Sequence, residues 1–217
     1  VAEGPSPFFS LSLLPLAVSG VPWQEREPLP KKGHAMARLP YPDSKELPPA
    51  VRQTLEQLPV QLNVFRMMAH AHSCFIPWLR LGTTILSDLQ LPANLREMII
   101  LVVANRLQCD YEWVQHVPLA EAAGVTEDQT IAIASNVLYA SVFSEREQAL
   151  LQATAEWLVS PRCRETTWRE LRAHFSPREI VEAMLVVGFY SALARILETT
   201  EVEIDRPFAE RLKPRDN

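Results

Sequence analysis

Apolar residues recur at helical spacing along most of the chain. From residue 48 to about residue 200 they return every three or four positions, without the strict alternation that is typical of half-buried strands. The most apolar segment is residues 92–107. Its apolar side chains occupy nearly every side of a helix: Leu95, Met98, Ile99, Ile100, Leu101, Val102, Val103 and Ala104. The pattern predicts that this segment is the central, buried helix of the fold.

Helix start and stop signals divide the rest of the pattern. Three later helices open with capping boxes, in which a Ser or Thr and a Glu or Gln three residues on bond each other's backbone N–H groups. The pairs are Thr126 with Gln129, Ser144 with Glu147, and Ser176 with Glu179. We expect Asn63 and Asp110 to cap two earlier helices. Pro92 is expected to open the central helix, and Gly124 to end the one after it. The fold is therefore predicted to be all-α, a compact domain of about seven or eight helices.

The N-terminal part of the chain has a different composition from the rest. Eight prolines lie within residues 1–47, with no sustained periodicity. We therefore predict a proline-rich arm over residues 1–45, the helical domain over residues 46–205, and a C-terminal tail over residues 206–217. Met36 opens a plausible natural start, so residues 1–35 are expected to be an upstream extension, either translated from an early start codon or added artificially.

Charge, apolar run length and cysteine content narrow the function classes. The net charge is −5 and no run of five basic residues occurs, which speaks against nucleic-acid binding. The longest apolar stretch of the body, residues 98–104, is far too short to cross a membrane. Three widely spaced cysteines make no disulfide scaffold, so a reducing, cytoplasmic location is expected.

Ionisable groups cluster at the end of the central apolar segment. On a helix, Cys109, Glu112 and His116 fall at about 0°, 300° and 340°, so they share one stripe. A carboxylate one turn from an imidazole orients the ring for acid or base work. Cys109 lies at a helix N-terminus, which favours a thiolate, while the nearby charge of Glu112 opposes it. Glu97 would be buried if it faces this stripe, and His116 is then its natural partner.

Structural roles remain open for the same residues. A Glu–His pair on a helix is structural at roughly two-to-one odds, and a lone cysteine is more often a small core residue than a nucleophile. Glu97 could simply complement the helix dipole in the first turn.

A substrate carboxylate or oxyanion could be held by Tyr111 or by a nearby arginine such as Arg106, although an arginine at a helix surface usually snorkels to solvent. Trp113, Phe189 and Tyr190 could line a pocket, although most such aromatic residues belong to the core. We expect no metal site and no cofactor.

The order Glu97, Cys109, Glu112 and His116, followed by AGVT at residues 123–126, resembles the carboxymuconolactone decarboxylase and alkylhydroperoxidase D-like (AhpD-like) family. The resemblance is strongest over residues 90–135. It implies a compact helical domain, a homo-oligomer such as a trimer or hexamer, and a small-molecule substrate. The peroxidase branch has a second cysteine where this chain has Glu112, so a dithiol mechanism is in doubt. An acidic residue at the position of Glu112 is similar to what the lactone decarboxylase branch has there.

Three functions follow as hypotheses. The first is a decarboxylase-like enzyme, in which His116, oriented by Glu97 or Glu112, moves a proton at a carbon next to a carbonyl. The second is a thiol antioxidant of the alkylhydroperoxidase or peroxiredoxin type that uses Cys109 without a CxxC pair. The third is a non-catalytic, ligand-binding oligomer.

Overall fold

The computed structural model describes residues 37–205, and its regular secondary structure over that range is entirely helical. Nine helices occur there: α1 (Pro49–Gln57), α2 (Asn63–Met68), α3 (His72–Ser87), α4 (Ala93–Arg106), α5 (Asp110–Ala122), α6 (Glu127–Ala134), α7 (Glu145–Val159), α8 (Glu165–His174) and α9 (Pro177–Thr200). The predicted all-α fold is confirmed, and residues 37–205 contain nine helices where about seven or eight were expected. Most of the predicted arm, the upstream extension and the whole C-terminal tail lie outside the described residues.

Helix α4 is the centre of the fold, as its apolar pattern predicts. Ten of its fourteen residues are buried, and it packs against α5, α6, α7 and α9. Pro92 is the N-cap rather than the first helical residue, so Glu97 is the fifth residue of α4. The expectation that Glu97 lies in the first turn is therefore wrong, and the helix dipole does not explain a fully buried carboxylate there.

A tight turn reverses the chain between α4 and α5. Gln108 adopts the left-handed conformation, with a φ of 54°. The backbone N–H of Cys109 then donates to the Ala104 carbonyl at 2.8 Å, and that of Gln108 donates to the Asn105 carbonyl at 3.2 Å. This is the Schellman pattern of helix termination, made without glycine. It sends α5 back along α4 and so carries the stripe that begins at Cys109 toward Glu97.

The predicted capping boxes form in α6, α7 and α9, each with both of its hydrogen bonds. Gly124 has a φ of 94° after α5, as expected. The predicted caps at Asn63 and Asp110 are wrong, because each is the first helical residue and Leu62 and Cys109 hold the N-cap positions. The sequence therefore marked the right places, and each boundary lies one residue earlier than expected.

The C-terminal segment after α9 ties distant parts of the chain together through two carboxylates. The Asp205 carboxylate accepts the hydroxyl of Tyr111 and the backbone N–H of Asn63, the latter at 2.9 Å. The Glu203 carboxylate accepts the hydroxyl of Tyr41 and the backbone N–H of Ala37, the latter at 2.8 Å. We call Tyr41, Tyr111, Glu203 and Asp205 the C-terminal clasp. It supplies from 142 residues away the N-terminal acceptor that α2 lacks locally.

Helix α9 is long and apolar enough to cross a membrane by length and composition, and it is the one such helix in residues 37–205. Half of its most apolar stretch is buried inside the domain. The core helix of a globular fold has the same length and composition, and its packing against α4 and α7 is that of a core helix.

Candidate functional site

Glu97 is held between an arginine and a histidine. Its Oε2 lies 2.8 Å from Nδ1 of His116, and its Oε1 accepts Nε and Nη2 of Arg96 at 3.0 and 2.8 Å. Nη1 of Arg96 donates to the carbonyl of Leu86 at 2.8 Å, which anchors the guanidinium to the end of α3. Of the two carboxylates that the sequence leaves open as the partner of His116, the structure brings Glu97 to the ring.

The ionisation of Glu97 follows from these contacts. Burial by itself would raise the pKa of Glu97. The hydrogen bonds and positive charges of His116 and Arg96 outweigh burial and hold the pKa below its ordinary value. Glu97 is therefore a carboxylate at neutral pH, and it fixes the orientation of the imidazole.

His116 keeps its second nitrogen available. The Nδ1 atom is engaged by Glu97, and no residue within 37–205 forms a hydrogen bond with Nε2. The His116 side chain is 10% exposed, so the ring is not fully sealed from solvent. The ring of Tyr190 on α9 stands perpendicular to the imidazole, with centroids 4.9 Å apart. His116 thus presents Nε2 in a fixed direction.

Glu112 contrasts with Glu97. It is 2% exposed, and both of its carboxyl oxygens are buried without a hydrogen-bond partner among the described residues. Burial, and after it the charge of Glu198, raises the pKa of Glu112 well above its ordinary value. Glu112 therefore keeps its proton to a higher pH than an ordinary carboxyl group does. A site with two carboxyl groups whose pKa values move in opposite directions has separated an anion from an acid.

Cys109 is buried next to these acids. It has no exposed surface, and its pKa is raised by burial and then by the charges of Glu112 and Glu198. The backbone N–H of Glu112 favours the thiolate, and burial outweighs it. The other cysteines in the described residues, Cys74 and Cys163, form no disulfide with it. The thiol is thus a protonated core residue in this state of the protein.

The residues predicted to bind substrate, Tyr111, Arg106 and Trp113, differ in their surroundings. The Tyr111 hydroxyl donates to Asp205 in the C-terminal clasp and also accepts the backbone N–H of Val64 at 3.4 Å. Arg106 lies half-buried near the end of α4, where burial lowers its pKa. Trp113 is half-buried and packs on the main core. Of the three, the structure commits Tyr111 to a structural contact.

Two residues of the site escape sequence reasoning. Arg96 precedes Glu97, and adjacent residues on a helix do not face each other, so spacing gives no hint of the ion pair. Tyr190 comes from the last helix, and the sequence marks it only as one of several aromatic residues. Its contact with His116 depends on how α9 crosses α5. No sequence signal for either residue stands out from the ordinary core pattern.

Neither a candidate metal site nor a surface cleft was found at the Glu97–His116 site among the described residues. No group of three or more His, Cys, Asp or Glu side chains in residues 37–205 is arranged to hold a metal ion. Two open clefts of about 430 and 350 Å³ lie elsewhere, one between α7 and α8 and the other near α1. Neither is lined by a residue of the Glu97–His116 site.

Comparison with known proteins identifies the class. Residues 76–156 match the sequence model of the carboxymuconolactone decarboxylase family. The matched segment runs from α3 into α7 and contains Glu97, Cys109, Glu112 and His116. The match confirms the resemblance stated from the sequence, and it supports an enzyme-like role. No curated protein matches the chain by sequence.

Solved structures agree on the fold. An alkylhydroperoxidase AhpD core protein from Ralstonia eutropha JMP134, described as peroxidase-related, is 24% identical, with 81% of this chain and 95% of that chain covered and a TM-score of 0.67. A peroxidase-related protein from Silicibacter sp. TM1040 is 21% identical, with the same coverage and a TM-score of 0.68. The debrominase Bmp8, solved in complex with 2,3,4-tribromopyrrole, is 16% identical, with 82% and 95% covered and a TM-score of 0.63. These likenesses show an AhpD-like helical fold.

Proposed function

We propose that the chain is an enzyme that moves a proton to or from carbon in a small carboxylated substrate, as in decarboxylation, and that it does so without a metal or organic cofactor. The observation that carries this proposal is that the pKa values of two buried carboxyl groups, Glu97 and Glu112, are shifted in opposite directions. Glu97 is an anion bonded to His116. Glu112, one helical turn before the same histidine, has its pKa shifted upward instead. Opposed pKa shifts around one imidazole are the pattern of an acid–base site.

The chemistry can be written for a carboxylate attached to the carbon next to a carbonyl, as in a β-keto acid. The bond to the carboxylate breaks, carbon dioxide leaves, and the electron pair moves into the carbonyl to give an enolate. The protonated Nε2 of His116 then gives its proton to the carbon, and the ring recovers a proton from solvent. Glu97 stabilises the positive charge of the imidazolium before the transfer. Protonation of the enolate in this way accounts for both the fixed ring and the available nitrogen.

Thiol chemistry receives less support from the geometry. A peroxidatic cysteine acts as a thiolate and needs access to its substrate. Burial and two neighbouring acids raise the pKa of Cys109, and its side chain is fully covered. Glu112 occupies the position of a resolving cysteine and removes the nearest disulfide partner.

Assembly as a homo-oligomer, such as a trimer or hexamer, is part of the proposal. Helix α9 exposes Val181, Met184 and Leu185 at helical spacing, and Leu81 and Leu86 of α3 are exposed as well. Apolar surface of this kind favours association with another copy. Light scattering after size exclusion would measure the oligomer, and a monomer would contradict it. We place the oligomer in the cytoplasm, since its cysteines are unpaired.

The test is turnover by matched variants. A panel of small β-keto acids and unsaturated lactone carboxylates is assayed for carbon dioxide release and for exchange of carbon-bound hydrogen with deuterated water. His116→Gln is expected to lose about 100- to 10,000-fold in rate. Cys109→Ala should retain activity, and His72→Gln, at an exposed histidine of α3, is the matched control.

Other outcomes identify the alternatives. A thiol enzyme would turn over peroxides, and Cys109→Ala would abolish that turnover. In that case His116→Gln would leave any activity on the carboxylate panel unchanged. If the panel compounds bind but neither react nor exchange hydrogen, the domain is a ligand-binding module. Either result contradicts the acid–base proposal.

A further inference from the structure

Arg96 connects the buried Glu97 carboxylate to the end of a neighbouring helix. Its Nε and Nη2 atoms both donate to Oε1 of Glu97, at 3.0 and 2.8 Å. Its Nη1 atom donates to the carbonyl of Leu86, in the last turn of α3, at 2.8 Å. Because this carbonyl anchors the guanidinium, the carboxylate is bonded to a group that is itself held from a second helix.

The two oxygens of Glu97 have different partners. Oε1 accepts from Arg96, and Oε2 lies 2.8 Å from Nδ1 of His116. Rotation of the carboxylate would break both hydrogen bonds to Arg96 before it brought Oε1 to the ring. Oε2 therefore meets Nδ1 in one geometry. A histidine whose Nδ1 is bonded to a fixed acceptor presents Nε2 in one direction and in one tautomer.

Stability by itself does not account for an arginine at position 96. The Arg96 side chain is 13% exposed and that of Glu97 is fully buried. The cost of removing two charges from water largely cancels their attraction, so a buried ion pair adds little stability over apolar residues of similar size. Arg96 is also the fourth residue of α4, and the dipole at a helix N-terminus favours an anion rather than a cation. A role in the acid–base site explains the choice of residue better.

The segment that supports Arg96 is fixed in turn by α9. Leu86 lies just before the α3–α4 connection, and Leu91 lies near its other end. The backbone N–H of Leu91 donates to Oε2 of Glu182 at 2.8 Å, and Oε1 of Glu182 accepts Nε of Arg178 at 2.7 Å. The guanidinium of Arg96 thus rests on a connection that the first turns of α9 hold in place.

The charge of Arg96 acts on the same carboxylate. Within residues 37–205, the titratable and charged groups that act on Glu97 are Arg96 from α4, His116 from α5 and the Tyr190 hydroxyl from α9. Burial raises the pKa of Glu97, and His116 and Arg96 lower it. Without Arg96, the imidazole would be the one cation left to oppose burial. A carboxyl group that takes up a proton no longer stabilises an imidazolium.

We propose that Arg96 is a positioning residue of the acid–base site, which holds the Glu97 carboxylate ionised and in one orientation so that His116 keeps Nε2 directed at the substrate. Arg96 acts through Glu97 and does not contact the reacting atoms. Its effect on turnover rests on the proposed function, whereas its effect on Glu97 does not require turnover.

The experiment follows the Glu97 carboxyl carbon by ¹³C NMR as the pH is varied, in the full chain labelled at glutamate. The Glu97 signal is assigned by its absence from Glu97→Gln. Arg96→Met removes the charge and keeps an unbranched side chain, so the Glu97 titration is expected to move up by about one pH unit or more. Arg96→Lys keeps the charge without the planar fork, so its shift should be smaller. Arg169→Met, at an exposed arginine of α8, is the matched control and should titrate as the parent does.

Turnover adds a readout that a purely structural role would not change. On any panel compound that the parent turns over, Arg96→Met should lose about 10- to 100-fold in kcat with little change in KM, because a displaced catalytic group slows the reaction without weakening substrate binding. On acidification its activity should disappear at a higher pH than that of the parent. Arg96→Lys should recover part of the rate.

The outcomes separate the role of Arg96 from the proposed function. A raised Glu97 titration in Arg96→Met, with a smaller shift in Arg96→Lys, supports the positioning role even if no compound of the panel turns over. A Glu97 titration like that of the parent in folded Arg96→Met overturns it and leaves the role of His116 standing. An unchanged kcat in Arg96→Met overturns it as well. Arg96→Gln, which also lacks the charge, provides the same test if Arg96→Met does not fold.

Discussion

The candidate site and the C-terminal clasp are built from the same kinds of residue and use them in opposite ways. In the clasp, the carboxylates of Glu203 and Asp205 each accept a tyrosine hydroxyl and a backbone N–H. In the site, the Glu112 carboxyl forms no hydrogen bond with any residue of 37–205. Polar groups whose hydrogen bonds are satisfied hold chain segments together. A buried polar group without a hydrogen-bond partner is unfavourable, and a ligand that supplies the missing hydrogen bond removes this unfavourable contribution.

The same contrast exists inside the site. Glu97 is buried with three hydrogen bonds to Arg96 and His116, and Glu112 is buried with none. Their pKa values move in opposite directions as a result. The difference shows that burial by itself does not determine the charge of a carboxyl group, because the available donors do.

Breaking the clasp should give the largest loss of stability. Asp205→Ala leaves the buried Tyr111 hydroxyl and the Asn63 N–H without their acceptor. Since hydrogen bonds to charged groups contribute about 1.5–3 kcal/mol each, we expect a loss of about 3–5 kcal/mol. Urea unfolding measures it, with Asp88→Ala at an exposed aspartate as the control. A loss as small as the control's would mean that the clasp is a surface contact.

Glu97→Gln should cost less, about 2–3 kcal/mol at neutral pH, because an amide accepts a hydrogen bond but carries no charge for Arg96 and His116. The folded pKa of Glu97 lies below its ordinary value of 4.5. Its contribution is therefore present above pH 4.5 and is lost as the pH falls through the folded value. The stability difference from the parent should shrink on acidification. A constant difference would argue against an ionised Glu97.

Glu112→Gln should change the free energy of unfolding in the opposite direction and stabilise the protein at neutral pH. The folded pKa of Glu112 lies above the ordinary 4.5, so the parent has its full stability below that pH and loses it as the pH rises toward the folded value. The slope is about 1.4 kcal/mol per pH unit. The variant lacks this loss, and we expect it to be about 1–2 kcal/mol more stable at neutral pH and equal to the parent under acidic conditions. A destabilised variant at neutral pH would show that Glu112 is an ionised, partnered group.

The smallest expected change in stability comes from removing the hydroxyl of either of two tyrosines, Tyr111 and Tyr190. Tyr111→Phe deletes a hydroxyl that bonds to Asp205 and should cost about 1–2 kcal/mol, whereas Tyr190→Phe deletes one that bonds to no described residue and should cost under about 0.5 kcal/mol. Thermal unfolding of the two variants side by side measures the difference. Equal losses would contradict the distinction between the clasp and the site.

Much of the fold and part of the site follow from the sequence. Apolar periodicity predicts the buried α4, and the three capping boxes predict where α6, α7 and α9 begin. The spacing of Cys109, Glu112 and His116 places them on one face. These signals all act between residues within about one helical turn of each other, so they can be read from the amino-acid sequence.

Contacts between helices required the tertiary structure. Whether Glu97 or Glu112 bonds to His116 depends on how the Schellman turn at Gln108 lays α5 along α4. The commitment of Tyr111 to Asp205 depends on where the C-terminal segment crosses α2.

The sequence by itself determined the all-α class, the central helix, the family and the stripe of ionisable side chains. The tertiary structure decided the charge of each of those side chains and brought in Arg96 and Tyr190. The physical reason is that helix formation and capping are governed by neighbours along the chain. The pKa of a buried carboxyl is instead governed by the donors and charges that packing places around it. Glu97 and Glu112 are the same residue type on adjacent helices, and only that packing moves their pKa values in opposite directions.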